Sequence, residues 1–314
     1  MKPGIANLNK AKLNSLLVNK TLVSSATVCL SLAVLATMAY KGWGQISGFE
    51  WRINYWALVV AFLLYSLALF LAVLGWHLMF RGIAGSNGFW QDAKIYVVSN
   101  VARRLPGGLW GIASRVYLYK LEGFSEMITL AVLVMEAFVI TLANLLTIPF
   151  FAPFLPLGQG FSLSWLIWLL ALAGIVFLLH PRILKALFGM IVRRFMREGD
   201  LPLKPIGFGT FALWVPIYIG IWLLGGTVAF SIASSIYPIE IEYLPAVIAA
   251  WLAAGILSTV VYFFPSGLGI TELTLAAVLS VYVPSPVAVA SALALRVFLT
   301  AYETLWALAV LKRL

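Results

Sequence analysis

The chain has 314 residues, of which 63% are hydrophobic and 10% are charged, and its mean hydropathy is +1.02. Soluble domains contain about 45–50% apolar and about 25% charged residues, so the composition excludes a soluble protein and indicates an integral membrane protein. The formal net charge is +10, but Lys and Arg cluster beside apolar segments, as the positive-inside bias requires. The charge therefore indicates membrane topology, and we expect no nucleic-acid partner.

The apolar runs predict a membrane domain that fills the chain. A helix needs about 20 apolar residues to cross a bilayer, and residues 21–40, after a basic start, form the first such run. It is too long for a signal-peptide core, so we expect a retained helix with a cytoplasmic N-terminus. Later runs cover residues 55–80, 127–151, 163–179, 208–237, 244–264, 270–282 and 287–311.

These runs predict an all-α polytopic membrane protein with 7–8 transmembrane helices in a single domain over residues 1–314. The number depends on whether the short run at 270–282 crosses or only enters the membrane. The basic segment 180–204 places apolar residues at helical spacing, which predicts a cytoplasmic amphipathic linker helix. No separate soluble catalytic domain is expected.

Two proline-glycine breaks interrupt this apolar chain. They read Leu-Pro-Gly-Gly-Leu-Trp-Gly-Ile at residues 105–112 and Phe-Pro-Ser-Gly-Leu-Gly-Ile at residues 264–270. Non-helical backbone can lie at membrane depth only where protein or water satisfies its polar groups. We therefore predict two re-entrant segments, the first a re-entrant or interfacial hairpin of two half-length helices within residues 81–123, on the cytoplasmic side.

The breaks also indicate an internal two-fold repeat of about residues 55–150 and 208–311. Pro106 and Pro265 are 159 residues apart, and Glu136 and Arg296, in the apolar helices that follow the breaks, are 160 apart. Chance similarity between helices rich in Leu, Ala and Val is the alternative. A true repeat would match transporters, in which broken helices of two related halves form the substrate site.

Charged residues accompany both breaks, and ionisable residues within a membrane are functional-site candidates. Candidates for substrate binding are the arginines, glutamates and break residues of both halves: Arg103, Arg104, Pro106, Gly107, Gly108, Arg115, Glu136, Pro265, Gly267, Gly269, Glu272, Arg296 and Glu303. Guanidinium groups pair bidentately with phosphate oxygens, which favours a lipid phosphate as ligand.

Each of these assignments has a structural alternative. The arginines of the first break could be topology signals, the glycines could serve helix packing, and Glu272 could cap the helix that it opens. A Glu136–Arg296 ion pair that joins the two halves is expected on the structural reading. Arg296 and Glu303 are seven residues apart, hence on one helix face about 10 Å apart.

The breaks and their surroundings resemble a known family. The segments Arg104–Gly111 with Ser114-Arg115, then Phe264–Glu272, then Ala292–Arg296 are similar to the lysylphosphatidylglycerol synthase transmembrane region, the flippase-like part of MprF-type proteins. The resemblance covers the chain from about residue 20 onward and extends to stand-alone bacterial and archaeal membrane proteins. It implies the cytoplasmic membrane of a prokaryote as the location.

The resemblance implies lipid translocation. The soluble domain that attaches lysine to lipid in MprF-type enzymes is absent from these 314 residues, so we expect no enzyme activity. The implied substrate is an anionic phospholipid or a polyprenyl-phosphate lipid, and a homo-oligomer is compatible with it. The alternative is a non-transporting subunit that docks a glycosyltransferase or another lipid-modifying enzyme.

No cofactor or metal is expected. The chain has one cysteine, Cys29, within the first apolar run, and two histidines, His77 and His180, near the ends of separate runs. Neither the histidines nor the carboxylates show metal-ligand spacing. Ser266 lacks the flanking residues of a hydrolase nucleophile, which disfavours an intramembrane hydrolase.

Overall fold

The computed structural model describes residue 40 and residues 53–85, 88–103, 110–155, 208–261 and 270–311. This part of the chain is α-helical and contains no β-strand. Its helices are α1 (Tyr55–Ile83), α2 (Phe89–Arg103), α3 (Trp110–Leu121), α4 (Glu126–Phe151), α5 (Phe208–Ile236), α6 (Leu244–Val261), α7 (Ile270–Leu279) and α8 (Ser285–Leu311). Two short 3₁₀ turns, Ala152–Phe154 and Ile241–Tyr243, follow α4 and precede α6. The all-α fold predicted from the sequence is confirmed.

Five helical segments in the described residues are long and apolar enough to cross a membrane: Tyr55–Ile83, Glu126–Phe154, Leu213–Ile236, Ile241–Ser258 and Ser285–Val310. The ten residues of α7 rise about 15 Å, roughly half of the hydrocarbon core, so this helix alone is too short to cross. The spans predicted at 21–40 and 163–179 and the linker at 180–204 lie outside the described residues.

The helices on each side of the undescribed segment 156–207 follow the same order of lengths. A 29-residue helix is followed by two shorter helices, of 15 and 12 residues in the first run and 18 and 10 in the second, and then by a longer helix of 26 or 27 residues. The two breaks fall between the short helices in both runs. This order supports the predicted repeat, which stays a prediction.

Contacts between the two runs also correspond. The first long helices, α1 and α5, pack against each other, while α2 packs on α8 and α6 packs on α4. Within each run, the second short helix packs on the long helix that follows it, α3 on α4 and α7 on α8. Charged residues on a short helix are thereby placed against the next long helix of the same run.

A glycine turn fixes the angle between α3 and α4. Gly123 has φ +86°, a conformation that L side chains rarely adopt, and its N–H bonds to the Lys120 carbonyl while the Phe124 N–H bonds to the Tyr119 carbonyl. This is the Schellman ending of a helix, and the Phe124 and Tyr119 rings supply its apolar contact, with centroids 5.9 Å apart. The turn brings α4 back along the buried face of α3.

Candidate functional site

A cavity of about 260 Å³ lies between the two runs of helices. Trp222 and Trp251, with aliphatic side chains, form much of its wall. Its polar lining comes from α1, α2, α5, α7 and α8: Tyr65, Tyr96, Asn100, Arg103, Tyr218, Thr271, Glu272, Arg296 and Glu303. A mostly apolar cavity with a few convergent polar groups is the usual form of a ligand site.

Arg296 faces this cavity from the middle of α8, and the Nη1 atom of Arg296 donates to Oε1 of Glu272 at 3.0 Å. Glu272 lies in the first turn of α7, directly after the second break. The Arg296 side chain is 25% exposed and that of Glu272 is 9% exposed. The guanidinium is therefore paired at one edge while part of its surface stays accessible from the cavity.

Glu303 lies two turns after Arg296 on the same face of α8, and its carboxylate is buried against α1. The hydroxyl of Tyr65 donates to Oε1 of Glu303 at 2.5 Å. Ser66 and Tyr302 form a second hydrogen bond of 2.7 Å between the same two helices. Glu303 thus places a carboxyl group in the cavity wall and helps to hold α8 against α1.

A second ion pair lies behind the cavity wall. Nη1 of Arg115, on α3, donates to Oε2 of Glu136, on α4, at 2.8 Å. The other Glu136 oxygen accepts a hydrogen bond of 3.1 Å from Tyr218, which lines the cavity. The contacts of this pair connect it to the cavity, although neither charged side chain is itself among the residues that line it.

Further groups satisfy the Arg115 guanidinium. It donates to Ser99 at 2.9 Å and to Asn100 at 3.4 Å. Its Cζ atom lies 4.4 Å from the ring centroid of Trp76 and 4.3 Å from that of Tyr96. Hydrogen bonds and aromatic faces together provide the environment that a buried arginine needs.

Arg103 ends α2 and lines the cavity with an exposed side chain. Among the described residues it forms no ion pair. Gly111 lets α3 approach this end of α2 closely, because a Cβ atom at Gly111 would lie 2.8 Å from Cβ of Arg103. The approach positions Asn100 and Arg103 beside the cavity.

The expected Glu136–Arg296 pair across the two halves is wrong. Glu136 pairs with Arg115 and Arg296 pairs with Glu272, so each ion pair forms within one half. The physical reason is the local packing of each short helix on the following long helix. The order of charges is opposite in the two halves, basic then acidic in the first and acidic then basic in the second.

Seven predicted site residues fall in the breaks and lie outside the described residues: Arg104, Pro106, Gly107, Gly108, Pro265, Gly267 and Gly269. The re-entrant course of these segments stays a prediction. Of the other candidates, the structure brings Arg103, Glu272, Arg296 and Glu303 to one cavity and places Arg115 with Glu136 behind it. Their role in substrate binding stays a prediction.

The sequence analysis missed the cavity residues Asn100 and Tyr218, and also the buried Asp92, which lies outside the cavity lining. Asp92 accepts from the Tyr119 hydroxyl at 2.6 Å and contacts His77 at 2.6 Å. The segment around Asp92 is apolar only in patches, so no signal in the sequence set this charge apart. Among the described residues, no three His, Cys, Asp or Glu side chains converge as metal ligands.

Fold and cavity together define a multi-pass helical membrane protein with a polar, charged cavity between two sets of helices. The model of the lysylphosphatidylglycerol synthase transmembrane region matches residues 21–307, nearly the whole chain. The chain therefore belongs to the lysylphosphatidylglycerol synthase TM region family, as the resemblance in the sequence indicated. A comparison with curated proteins found no match.

Proposed function

We propose that this protein moves an anionic lipid between the leaflets of the cytoplasmic membrane of a prokaryote. The family supports a membrane role related to lipids. The observation that carries the proposal is the cavity, in which Arg296 and Arg103 present guanidinium groups between helices long enough to span. An arginine near the middle of a span is costly in hydrocarbon unless protein, water or an anionic ligand faces it.

The size of the cavity defines which part of the lipid it accepts. Its volume of about 260 Å³ is slightly below the range of about 300–1,000 Å³ that is typical of small-molecule sites. A phosphate-bearing headgroup fits this volume, whereas acyl or prenyl chains would remain in the bilayer. The headgroup phosphate would pair with Arg296 and Arg103, and the tryptophan side of the wall would face the glycerol or first prenyl unit.

Glu272 has a defined part in this proposal. It pairs with Arg296 and would compete with a lipid phosphate for the same guanidinium. A bound phosphate can therefore take the place of Glu272, so that Arg296 is paired throughout. This keeps the free-energy cost of lipid entry and exit low. No bond is made or broken, so the proposed activity is translocation without catalysis.

Reconstitution tests the proposal directly. The protein is placed in phosphatidylcholine vesicles that contain a trace of fluorescent phosphatidylglycerol or, in a second arm, a fluorescent polyprenyl-phosphate sugar. Protein-dependent exchange of at least one of the two is expected, and Arg296→Ala should slow it about tenfold or more, since phosphate pairing with arginine is charge-assisted and bidentate. Lys120→Ala is the matched control, because Lys120 forms only an exposed pair with Glu126.

Absence of exchange with both lipids would contradict the proposal. Co-purification of a glycosyltransferase together with that absence would favour the alternative role, a membrane subunit that docks a lipid-modifying enzyme.

A further inference from the structure

Three polar residues of the cavity wall form a row along α2. Tyr96, Asn100 and Arg103 line the cavity and are four and three positions apart. This spacing places them on one face of the helix, with rises of about 6 Å and about 4.5 Å between them. The α2 row, as we call these residues, presents two uncharged polar side chains and then the cation at the end of the helix.

Arg115 fixes the orientation of the Asn100 amide. Nη2 of Arg115 donates to Oδ1 of Asn100 at 3.4 Å. A guanidinium has only donors, so the amide oxygen must face it and the amide nitrogen, Nδ2, points away from it. The Nδ2 group, which carries two hydrogens, therefore lies on the side of Asn100 that is turned away from Arg115 and α3.

The ring of Tyr96 is held in place, whereas its hydroxyl is not. Cζ of Arg115 lies 4.3 Å from the centroid of the Tyr96 ring, and the Trp76 ring centroid lies 6.3 Å from it. Within the part of the chain that the structure describes, neither the Tyr96 hydroxyl nor Nδ2 of Asn100 has a hydrogen-bond partner. The two residues are only 6% and 5% exposed, yet neither atom is fully enclosed, so a group in the cavity can reach both.

The chemistry of these two groups restricts what can satisfy them. A buried donor without a partner costs free energy, because folding has removed it from water. An alcohol hydroxyl suits both groups, since it can accept from Nδ2 of Asn100 and can donate to or accept from the Tyr96 hydroxyl. An ammonium group only donates, so it cannot satisfy the Asn100 amide, and it would lie one turn from the like charge of Arg103. A methylene group satisfies neither.

From this geometry we propose that the α2 row selects a phosphodiester headgroup that carries alcohol hydroxyls. The phosphate pairs with Arg103, and the hydroxyls bind Asn100 and Tyr96 along the same face of the helix. This selection names the class of lipid for the proposed translocation and rests on that function. The hydroxyls can belong to the headgroup glycerol of phosphatidylglycerol or to the sugar of a polyprenyl-phosphate sugar, whereas an ethanolamine headgroup does not fit the row.

Two matched pairs of lipids test this preference with the full chain. Phosphatidylglycerol and phosphatidylpropanol have the same charge and differ only in the headgroup hydroxyls, and a polyprenyl-phosphate sugar is paired with the methyl ester of the same polyprenyl phosphate. Native mass spectrometry of the purified protein measures which lipid of an equal mixture stays bound. In at least one pair the hydroxyl-bearing lipid should be retained in about tenfold excess or more, because a site that hydrogen-bonds a hydroxyl rejects the analogue without it. Phosphatidylethanolamine should be retained no better than phosphatidylpropanol.

A single-atom change in the row tests the part of Tyr96. Tyr96→Phe removes the hydroxyl and keeps the ring beside Arg115, so it should lower the preference for the hydroxyl-bearing lipid about threefold or more, roughly the effect of one hydrogen bond. Tyr117→Phe is the matched control, because Tyr117 is 60% exposed on α3 and does not line the cavity. Melting temperatures of both variants show that they are folded.

Binding and exchange measurements together separate this proposal from the function on which it rests. The pair of lipids that shows the preference identifies whether glycerol or sugar supplies the hydroxyls. Equal retention within both pairs, or a preference that Tyr96→Phe leaves unchanged, would overturn the proposal and assign the α2 row to water alone. Exchange of lipid in vesicles without any such preference leaves translocation intact, whereas a preference in binding without exchange supports the α2 row and contradicts translocation.

Discussion

Arg115 on α3 and Glu136 on α4 form an ion pair of 2.8 Å in which the side chains are only 7% and 8% exposed. Every other contact of this guanidinium is also made by a buried or half-buried partner, including Ser99 and the ring of Trp76. A buried pair with these additional hydrogen bonds is a structural element, because loss of one partner leaves an uncompensated charge. Arg296 and Glu272, which face the cavity and are more exposed, form a pair of a different character.

The first prediction concerns the stability of the buried pair. Arg115→Ala or Glu136→Ala should lower the free energy of unfolding by about 3–5 kcal/mol, since each leaves a buried charge unpaired. Replacing both, as Arg115→Met with Glu136→Leu, should restore part of the loss. Thermal unfolding in detergent measures the effect.

The control for this prediction lies on the same helix. Lys120 pairs with Glu126 at 2.6 Å, but the side chains are 60% and 52% exposed, and the pKa of Lys120 is raised by its hydrogen bond to Glu126. Such a pair is screened by solvent and contributes little. If Lys120→Ala were as destabilising as Arg115→Ala, burial of the Arg115–Glu136 pair would not explain the loss of stability.

The sequence predicted the helical membrane fold because hydropathy is a local property, and the runs at 55–80, 127–151 and 287–311 correspond to α1, α4 and α8. It also showed that Arg296 needs a partner, since a central arginine is costly in hydrocarbon. The identity of that partner depends on which helices pack together, which a single sequence does not specify. The sequence analysis expected Glu136 as this partner, whereas the packing of α7 on α8 brings Glu272 to Arg296.

Asp92 illustrates a different limit. The segment around it is apolar only in patches, so the sequence left a re-entrant and an interfacial position open, and at an interface a charged residue needs no explanation. In the structure Asp92 is buried and bound by His77 and Tyr119, residues 15 positions before and 27 after it. Only the packing of α1, α2 and α3 makes that constellation visible.

A second prediction tests the close approach of α2 and α3. Gly111→Val should destabilise the protein by about 1–3 kcal/mol, because the added Cβ would meet Arg103 at 2.8 Å and the Ser99 carbonyl at 3.2 Å. Lipid exchange should also fall, since Asn100 and Arg103 lie at this end of α2. Gly220→Ala is the control: its Cβ would meet Leu71 at 3.6 Å, an ordinary contact.

A third prediction concerns pH and the loop between α5 and α6. The pKa of Glu240 is raised from its ordinary 4.5 by the hydrogen bond to Glu242 and then by the charge of that neighbour. The folded state therefore binds this proton more tightly than the unfolded state. Stability from this group is present below the ordinary pKa and is lost as the pH rises through the raised value.

Because Glu240 is fully exposed, the effect should be small and should decrease with added salt. It appears as a slight fall in melting temperature just above the ordinary carboxyl range, and Glu242→Gln should remove it. A fall of the same size in Glu242→Gln would assign the pH dependence to another group.

The last prediction separates the two roles of Arg296. Its pair with Glu272 is partly exposed, so Arg296→Ala should destabilise the protein less than Arg115→Ala while it reduces lipid exchange far more. Arg296→Lys should keep part of the exchange, because the charge remains although the bidentate fork is lost. Glu272→Gln should leave the protein folded and alter the apparent affinity for lipid, since a phosphate would no longer compete with a carboxylate.

The measurements are melting temperature and exchange rate on the same preparations. Full exchange in Arg296→Ala would show that Arg296 does not bind the lipid phosphate, and a loss of exchange that only follows the loss of folded protein would assign Arg296 to structure.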